Sequence, residues 1–455
     1  DCPRRWLRAS FARPAAAVAG RRGRVDEARV GAVTARETNW AGNIVYRATR
    51  VARPRSVSQT QELVAASGQV RAVGTGHSFN RIADTPGVLI SLADLPPDIE
   101  IDPARAAVTL PGGISYRELT EQLNAAGYAL RSMASLPHLS VAGAVATATH
   151  GSGDANGNLA TMVSGLELIT ADGSVRTVRR DTGGEEFRGC VVGLGSLGLV
   201  SALTLDLVPA FSIRQYVYEG LPAAMLQSHF DEIFGSAYSV SVFTNWRDDR
   251  HGQLWLKVRD EERDAWQPAP RWMDATLAGR QVHPLPGGDP GHATQQLGVP
   301  GPWHQRLPHF RAEFTPSSGH ELQSEYLVPR QVAAGAFDAL ASLGSLLAPV
   351  LQIAEIRTVA PDDLWLSPSF QRDTVALHFT WIKDTAAVTP VIAAMEQLLT
   401  PLGARPHWAK LFGMPPHVVR ALYPRSADFQ DLLGHYDPDG KFRNGFISKY
   451  FPAGH

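Results

Sequence analysis

The chain has 455 residues, 44% of them hydrophobic, which suits roughly two or three globular domains better than a single core. Its 43 Lys and Arg residues balance 44 Asp and Glu residues, which argues against a nucleic-acid-binding surface, and no apolar run reaches the ~18 residues of a membrane span. The cysteines are Cys2 and Cys190, too few for a disulfide framework and poorly placed for structural zinc or a CxxC redox pair.

Residues 1–36 differ in composition from the remainder of the chain. They are rich in Arg and Ala and show no amphipathic stripe. The stretch RRWL followed by AAAVAG faintly resembles a twin-arginine export signal, but Arg13 and Pro14 interrupt its apolar region. We therefore expect a disordered N-terminal extension on a cytoplasmic protein, with export as the weaker alternative.

Residues 37–210 alternate strand-like and helix-like segments. Helical spacing occurs in SQTQELVAAS and SYRELTEQLNAAG, whereas strand patterns occur in VRAVGTG, GVLISL and AAVTLPGG. The stretch VSGLELITADGSVRTVRR predicts a hairpin because ADG is a turn signal between alternating strands. Residues 193–210 predict a glycine turn followed by a long strand. This alternation predicts an α+β domain.

The composition changes near residue 211. Up to about residue 330 the chain is rich in Trp, Pro and His, and long loops are predicted there. Farther on, strand patterns occur in LQSEYLVP, QIAEIRTVA and TVALHFTWI, and helical patterns occur in VAAGAFDALASLGSLLAP and AVTPVIAAMEQLLTPLG. We expect residues 211–455 to form a second domain, in which helices pack on one face of a sheet.

The stretch VGTGHSFN, residues 73–80, is a glycine loop that follows a predicted strand. Gly74 and Gly76 permit positive φ and allow a ligand's phosphates to approach backbone N–H groups. Ser78 and Phe79 stand where a Rossmann motif needs glycine, and no Gly-Lys-Ser/Thr follows as in a P-loop. A tight turn between two strands is the alternative interpretation.

Small and hydroxyl-bearing residues are concentrated in SMASLPHLSVAGAVATATHGSG, residues 132–153. Such residues let the backbone lie against a large planar or pyrophosphate-bearing ligand, while hydroxyls and N–H groups donate hydrogen bonds. The alternative is an Ala-rich segment packed closely on a sheet. That alternative leaves unexplained two histidines and the hydroxyl residues Ser135, Ser140, Thr147, Thr149 and Ser152.

Charged and polar residues recur in the predicted strands of the second domain. Residues two apart in a strand face the same side. Because an unpaired buried charge is costly, such groups either pair with one another, as Glu355 with Arg357 or Lys410, or bind a ligand. The residues concerned are Glu355 and Arg357 in EIR, His378 and Thr380 in LHFT, and His407 and Lys410 in HWAKLF.

These stretches together resemble the vanillyl-alcohol oxidase superfamily of flavoproteins, in its sugar-alcohol and aldonolactone branch. In particular, the chain is similar to the bacterial alditol oxidases of the xylitol oxidase type, from about Asn39 to the C-terminus. The stretches that carry the resemblance, in chain order, are NWAGN, GTGHSFN, MASLPHLSVAGAVATATHGSG, ADGS, GVPGPWHQRLPHFRAEFTPSSG, LQSEYLVPR, EIRTVA and LHFTW.

The resemblance implies an FAD-binding domain of the PCMH type over residues 37–210. It also implies a substrate domain over residues 211–455, an antiparallel sheet covered by helices, whose last segment returns to the FAD domain. FAD would be attached covalently to His77, because neutral imidazole is a competent nucleophile, although noncovalent binding to the pyrophosphate stays open. Cys190 does not match the second attachment cysteine of bicovalent relatives, and no metal is expected. The implied cofactor-binding residues are Val73, Gly74, Thr75, Gly76, His77, Ser78, Ser135, Ser140, Gly143, Thr147, Ala148, Thr149, His150, Val200 and His407.

The resemblance also implies oxidation of the terminal hydroxyl of alditols such as xylitol and sorbitol to aldoses. Hydride would pass to the flavin N5 atom, and dioxygen would reoxidise the flavin to give hydrogen peroxide. Lys410 and Arg357 would polarise the hydroxyl, Glu355 would accept hydrogen bonds from neighbouring hydroxyls, and His378 would orient groups or relay a proton. A monomer with no nucleic-acid or membrane partner is expected. The implied substrate-binding residues are Ser135, Glu355, Arg357, Thr380 and Lys410.

Three alternatives stay open at this point. An aldonolactone oxidase of the gulonolactone or arabinonolactone type shares the histidine loop, the E-x-R pair and HWAK, although Phe412 stands where that branch tends to have histidine. A polyol dehydrogenase would pass electrons to a quinone or cytochrome, and a small residue over the flavin, with Ala134 as the candidate, would govern oxygen access. A non-catalytic flavin- or sugar-binding module is the third, and the charged cluster argues against it.

Overall fold

The computed structural model of the chain describes residues 37–262, 267–314 and 320–453. The expectations for residues 1–36 lie outside this part of the chain. Within it, the predicted α+β class is confirmed, because small sheets form before residue 211 and a large antiparallel sheet forms after it.

Short strands and helices alternate before residue 211. The strands are β1 (Arg50–Ala52), β2 (Val70–Ala72), β3 (Val88–Ile90), β4 (Glu100–Asp102), β5 (Ala107–Pro111), β6 (Tyr128–Ala129), β7 (Val163–Ile169), β8 (Val175–Arg179), β9 (Leu199–Asp206) and β10 (Val208–Pro209). The helices are α1 (Val57–Ala66), α2 (Tyr116–Ala125), α3 (Val141–Ala146) and α4 (Arg180–Val191). Strands β1-β3-β2 form a parallel sheet, β4-β5-β9-β7-β8 form an antiparallel sheet, and β10 pairs with β6.

The local sequence explains where these elements begin and turn. The Ser56 side chain accepts a hydrogen bond from the Gln59 N–H and caps α1. Ser115 and Glu118 form a capping box at α2. The hairpin β7–β8 turns at Gly173, whose φ of +84° is readily reached only without a side chain.

After residue 211 the strands assemble into a large sheet. They are β11 (Ser212–Pro222), β12 (Ser239–Thr244), β13 (Arg250–Arg259), β14 (Arg271–Trp272), β15 (Ala275–Leu277), β16 (Gly301–Pro302), β17 (Glu321–Pro329), β18 (Leu351–Val359), β19 (Thr374–Ile382) and β20 (Arg405–Pro406). The order is β14-β15-β11-β13-β12-β18-β19-β17-β20, with β16 paired to β11. The helices of this part are α5 (Ala223–Ser228), α6 (Phe230–Phe234), α7 (Ala333–Ser342), α8 (Gly344–Leu347), α9 (Thr385–Leu399), α10 (Pro416–Leu422), α11 (Ser426–Tyr436) and α12 (Gly445–Tyr450).

No strand between residues 211 and 320 was predicted from the sequence, and β11, β12 and β13 were therefore missed. All six residues of β12 are buried, so this strand lacks the alternation of polar and apolar residues that identifies a half-exposed strand. The predicted loop character holds farther along, where residues 278–300 contain no strand among those that the structure describes.

The large sheet has one face against helices and the other toward a cavity. Tyr326 of β17 donates its hydroxyl hydrogen to Glu396 of α9, with an oxygen–oxygen distance of 2.8 Å. Since side chains alternate along a strand, the neighbouring Glu325 faces the opposite side. The confirmed helix-covered sheet therefore leaves one set of alternate residues available for a site.

The C-terminal segment returns to the first part of the chain. The Val70 N–H donates to the Lys441 carbonyl at 2.9 Å, and the Asn444 side chain donates to the Ile82 carbonyl at 3.0 Å. These contacts agree with the predicted return, while the predicted boundary at residue 210 stays a prediction.

The described residues contain no membrane-spanning helix and no group of side chains suited to a metal ion. Among them, no helix has both the length and the apolar composition needed to cross a bilayer. No three His, Cys, Asp or Glu side chains in this part of the chain are grouped so that they could hold a metal ion.

Candidate active site

A cavity of about 580 Å³ lies where the glycine loop, residues 132–153 and the open face of the large sheet meet. Its size lies within the usual range for ligand pockets, roughly 300–1,000 Å³. The sheet supplies charged and polar side chains, whereas the other two segments supply backbone and small side chains. The cavity thus brings together the three stretches that the sequence singled out.

The glycine loop approaches the start of α3 too closely for a side chain at Gly74. A Cβ atom there would lie 1.9 Å from Ser140 Oγ and 2.9 Å from Ser140 Cβ. Gly76 has a φ of +73°, in the left-handed region. These two glycines let the loop bend so that its backbone lines the cavity.

The glycine loop is also tied to the segment that carries Lys410. The Asn80 side chain donates to the carbonyls of Trp408 and Lys410, both at 2.8 Å, and the Phe79 N–H donates to the Ala409 carbonyl at 2.7 Å. These bonds hold the loop of His77 beside the segment of Lys410, although the two residues are far apart in the sequence.

His77 is half-buried at the cavity, with its ring stacked on Trp40 at a centroid distance of 4.7 Å. Its Nδ1 lies 3.1 Å from Thr75 Oγ1, and its buried Nε2 has no hydrogen-bond partner among the described residues. Burial, reinforced by His138, lowers the pKa of His77 to about 3. The ring is therefore neutral at pH 7, which leaves a nitrogen lone pair available for reaction.

Glu325, on β17, is the centre of the charged cluster and was missed by the sequence analysis. Its side chain is 1% exposed. Oε1 lies 2.7 Å from Arg357 Nη2 and 3.2 Å from His150 Nε2, and Oε2 lies 2.7 Å from Lys410 Nζ. A signal was present in LQSEYLVP, where Gln323 and Glu325 are two apart and thus share one face of a strand.

The charges around Glu325 stabilise one another. Burial alone would raise the pKa of Glu325, but Lys410, His150 and Arg357 outweigh it and hold that pKa well below its ordinary value. Burial lowers the pKa of Lys410, with the negative charge of Glu325 opposing this effect. Lys410 is thus a partly desolvated ammonium group whose affinity for its proton is reduced.

His378, the β19 neighbour of both Glu325 and Glu355, links Lys410 to Thr380. Lys410 Nζ donates to His378 Nδ1 at 2.7 Å, and Nε2 lies 3.2 Å from Thr380 Oγ1. Burial and the adjacent Lys410 lower the pKa of His378 to about 4. The ring is therefore neutral, with Nδ1 accepting and Nε2–H donating.

Glu355, on β18, has its own partners. Its Oε1 lies 2.7 Å from His309 Nε2 and 3.5 Å from Arg357 Nε. Burial would raise the pKa of Glu355, but Arg357 and His309 hold it below its ordinary value. The expected pairing of Glu355 with Arg357 is therefore present, although Arg357 makes its shorter contact to Glu325.

The structure places nearly all of the sequence-predicted site residues on this cavity. The exception is Ala148, which does not line the cavity. Its side chain is 1% exposed and belongs to the hydrophobic core, and its backbone has a φ of +53°. Among the polar residues on the lining that the sequence analysis did not name are Gln323, Glu325 and His309. The predicted residues that line the cavity are Val73, Gly74, Thr75, Gly76, His77, Ser78, Ser135, Ser140, Gly143, Thr147, Thr149, His150, Val200, Glu355, Arg357, His378, Thr380, His407 and Lys410.

Two family models match the chain. One, described as an FAD binding domain, matches residues 48–179, and the other, described as D-arabinono-1,4-lactone oxidase, matches residues 320–450. The first match contains the glycine loop and residues 132–153, and the second contains Glu325, Glu355, Arg357, His378 and Lys410.

Full-length relatives and a solved structure are similar to this chain. The alditol oxidase of Streptomyces sp. (strain IKD472 / FERM P-14339) is 51% identical over 413 residues, which cover 90% of this chain and 97% of that protein. The L-gulono-1,4-lactone dehydrogenase of Mycobacterium tuberculosis is 27% identical over 429 residues, 90% of this chain and 98% of that protein. The crystal structure of cholesterol oxidase from B. sterolicum gives a TM-score of 0.72 at 15% identity and covers 92% of this chain and 96% of that one, a likeness of fold.

Proposed function

Because the chain belongs to the alditol oxidase family of FAD-dependent oxidoreductases, we propose that it oxidises the terminal hydroxyl of alditols of the xylitol and sorbitol class to aldoses. Bound FAD supplies hydride acceptance at N5 and reoxidation by dioxygen, with hydrogen peroxide as the product. The observation that carries the proposal is a cavity in which Lys410 and Arg357 contact the buried Glu325, Glu355 lies beside Arg357, and all of them share a lining with His77.

The residues of the cavity fit FAD. The glycine loop and the start of α3 approach so closely that a Cβ at Gly74 would collide with Ser140. Both segments line the cavity, and with no side chain at Gly74 the loop can contact a ligand through its backbone. His77 presents a buried ring nitrogen without a partner among the described residues. We propose that these two segments hold the cofactor and that His77 forms the covalent bond to it.

Gly74→Ala should lower the FAD content of the purified protein several-fold. The new Cβ meets Ser140 Cβ as well as Oγ, and a hydroxyl rotation relieves only the second contact, so the loop and the start of α3 must separate. Gly68→Ala is the matched control, since a Cβ at Gly68 has no atom within 4 Å. Absorbance at 450 nm per mole of protein measures the effect, and an unchanged FAD content in Gly74→Ala would contradict the close-approach argument.

His77→Ala should abolish acid-stable flavin. The wild-type protein precipitated with acid should remain yellow, because the bond to His77 survives denaturation, whereas the variant should yield a colourless pellet and a yellow supernatant. His417→Ala, a change in α10, serves as the control. Free flavin released from the denatured wild-type protein, or covalent flavin in His77→Ala, would overturn the attachment.

Lys410 and Arg357 act on the reacting hydroxyl in the proposed reaction. Lys410 Nζ already donates to Glu325 and His378, so one N–H hydrogen is left to donate to the hydroxyl oxygen. With the Arg357 charge this stabilises developing negative charge on that oxygen as its proton leaves. His378 accepts from Lys410 at Nδ1 and lies 3.2 Å from Thr380 Oγ1 at Nε2, so it orients both groups.

Glu355 and Thr380 orient the remaining hydroxyls. A carboxylate accepts hydrogen bonds without donating, whereas the threonine hydroxyl does both, so the pair fits a row of hydroxyls. Both residues lie on adjacent strands of a rigid sheet, which fixes their spacing. Such directed binding holds the terminal carbon in place for hydride transfer.

A substrate comparison tests the proposed function. Anaerobic mixing with xylitol or sorbitol should bleach the flavin faster than mixing with L-gulono-1,4-lactone, and the aerated reaction should release one peroxide per aldose formed. Preference for the lactone would favour an aldonolactone-oxidising function. That function is supported by the lactone dehydrogenase at 27% identity and by the lactone oxidase model that matches residues 320–450. Rapid bleaching without peroxide would favour a dehydrogenase, despite Ala134 being on the cavity lining.

We also propose that the enzyme acts as a monomer in the cytoplasm. The two cysteines, too few for a disulfide framework, support a reducing compartment. Light scattering of the purified protein and fractionation of producing cells test the two parts.

A further inference from the structure

His309 contacts Glu355 at the cavity lining and is not among the residues assigned above to substrate or cofactor. The residue is 4% exposed, and its Nε2 lies 2.7 Å from Glu355 Oε1. Its ring packs edge-to-face on Phe243 and Trp255, with both centroid distances 5.4 Å. These aromatic contacts hold the imidazole in one orientation.

The hydrogen of His309 must be on Nε2. Burial, followed by the charge of Lys257, lowers the pKa of His309 to about 4, so the ring is neutral at pH 7. A carboxylate accepts hydrogen bonds but has none to donate, so the 2.7 Å contact requires an Nε2–H donor. His309 therefore donates to one defined oxygen of Glu355.

A buried lysine fixes the segment that carries His309. Lys257 of β13 is 1% exposed and donates to the carbonyls of Leu307 and Pro308, the latter at 3.0 Å. Thr294 holds the same segment, since its hydroxyl donates to Pro308 and its N–H donates to the His309 carbonyl. Burying a lysine without a carboxylate in direct contact is costly, so this anchor indicates that the position of the segment matters.

Glu355 thereby has one oxygen fixed and the other available. Both of its contacts, to His309 and to Arg357, involve Oε1, whereas Oε2 has no hydrogen bond among the described residues. Glu355 lines the cavity, so Oε2 is the oxygen left for a ligand.

We propose that His309 is a positioning residue, anchored through Lys257, that fixes Glu355 Oε1 so that Oε2 accepts a hydrogen bond from a substrate hydroxyl other than the reacting one. This inference rests on the proposed function, and it names residues that set the affinity of the enzyme for polyols. Without His309, the Glu355 side chain could rotate and would bind the polyol less tightly. The rate of hydride transfer would change less, because Lys410 and Arg357 remain.

Rapid-mixing reduction of the FAD-loaded enzyme by xylitol tests the proposal. His309→Leu should weaken xylitol binding by about 10- to 100-fold, the range for a lost hydrogen bond to a charged group, with a much smaller change in the limiting reduction rate. His309→Gln, whose amide nitrogen reaches the position of Nε2, should recover most of the affinity. The shorter His309→Asn should not, and this pair decides the question even if His309→Leu fails to fold.

A double-mutant cycle with Glu355→Gln shows whether His309 acts through Glu355. If it does, adding His309→Leu to Glu355→Gln should weaken binding little further. Full additivity, equal affinity in the Gln and Asn variants, or a loss confined to flavin content and melting temperature would overturn the proposal. A wild-type enzyme that no polyol reduces would instead refute the proposed function, so the two failures are distinct.

Discussion

Lys410→Met should lower the rate of anaerobic flavin reduction by xylitol about 100- to 10,000-fold while the protein retains its FAD. Methionine nearly matches the length of lysine but has neither charge nor N–H donor, so the reacting hydroxyl loses the group that polarises it. Glu325 keeps its 2.7 Å contact with Arg357, and the cluster should remain folded around it. Stopped-flow absorbance at 450 nm over a range of xylitol concentrations separates the limiting rate from affinity.

Lys383→Met is the matched control for that experiment. Lys383 is exposed and does not line the cavity, so xylitol should reduce the flavin of its variant at the wild-type rate. Near-normal reduction in Lys410→Met would show that the hydroxyl is activated elsewhere. Loss of FAD from that variant would mean that Lys410 serves the cofactor, in contradiction to the assignment.

Glu325→Gln should both destabilise the protein and impair reduction. The change leaves two buried cations, Arg357 and Lys410, without the carboxylate they share, and breaking a buried ion pair costs about 3–5 kcal/mol. Without this negative charge the pKa of Lys410 should fall further, since Glu325 now opposes the effect of burial on it. We expect a lower melting temperature together with a reduction rate at least tenfold below that of the wild type.

Glu219→Gln provides the comparison on the same sheet. Glu219, on β11, has a side chain that is 40% exposed and lies 3.4 Å from Arg280, an exposed pair worth about 0–1 kcal/mol. Its loss should hardly shift the melting temperature, which is measured by flavin fluorescence during heating. If Glu325→Gln had the same melting temperature and the same rate of flavin reduction as Glu219→Gln, Glu325 would contribute neither to stability nor to the reaction.

Several features of the fold and the site are local, because nearby residues in the sequence determine them. The caps of α1 and α2 and the turn at Gly173 depend on residues within a few positions of each other. The glycine loop combines φ freedom and a histidine within eight residues, 73–80. The two-residue period of a strand was likewise enough to place Glu355 beside Arg357 on one face.

The partners within the charged cluster depend on strand order, which local patterns do not contain. Glu325, His378 and Glu355 become neighbours because β19 lies between β17 and β18 in the sheet. Coulomb interactions fall off with distance, so which carboxylate balances Lys410 was decided only when the sheet formed. Similarly, the fully buried β12 has no alternation to read, and its place between β13 and β18 is a property of the folded sheet.

Ala148 and His309 show the same division between local and tertiary information. The small residues of 132–153 correctly indicated a segment that lines the cavity. Ala148, however, has a positive φ and its side chain lies in the core, which the composition of the segment does not specify. His309 acquires its neutral state and its carboxylate partner from groups brought near by folding, Lys257 and Glu355 among them. The sequence by itself determined the chemical groups and the local geometry of the loop; the tertiary structure decided which charges face one another, because burial and distance set their energies.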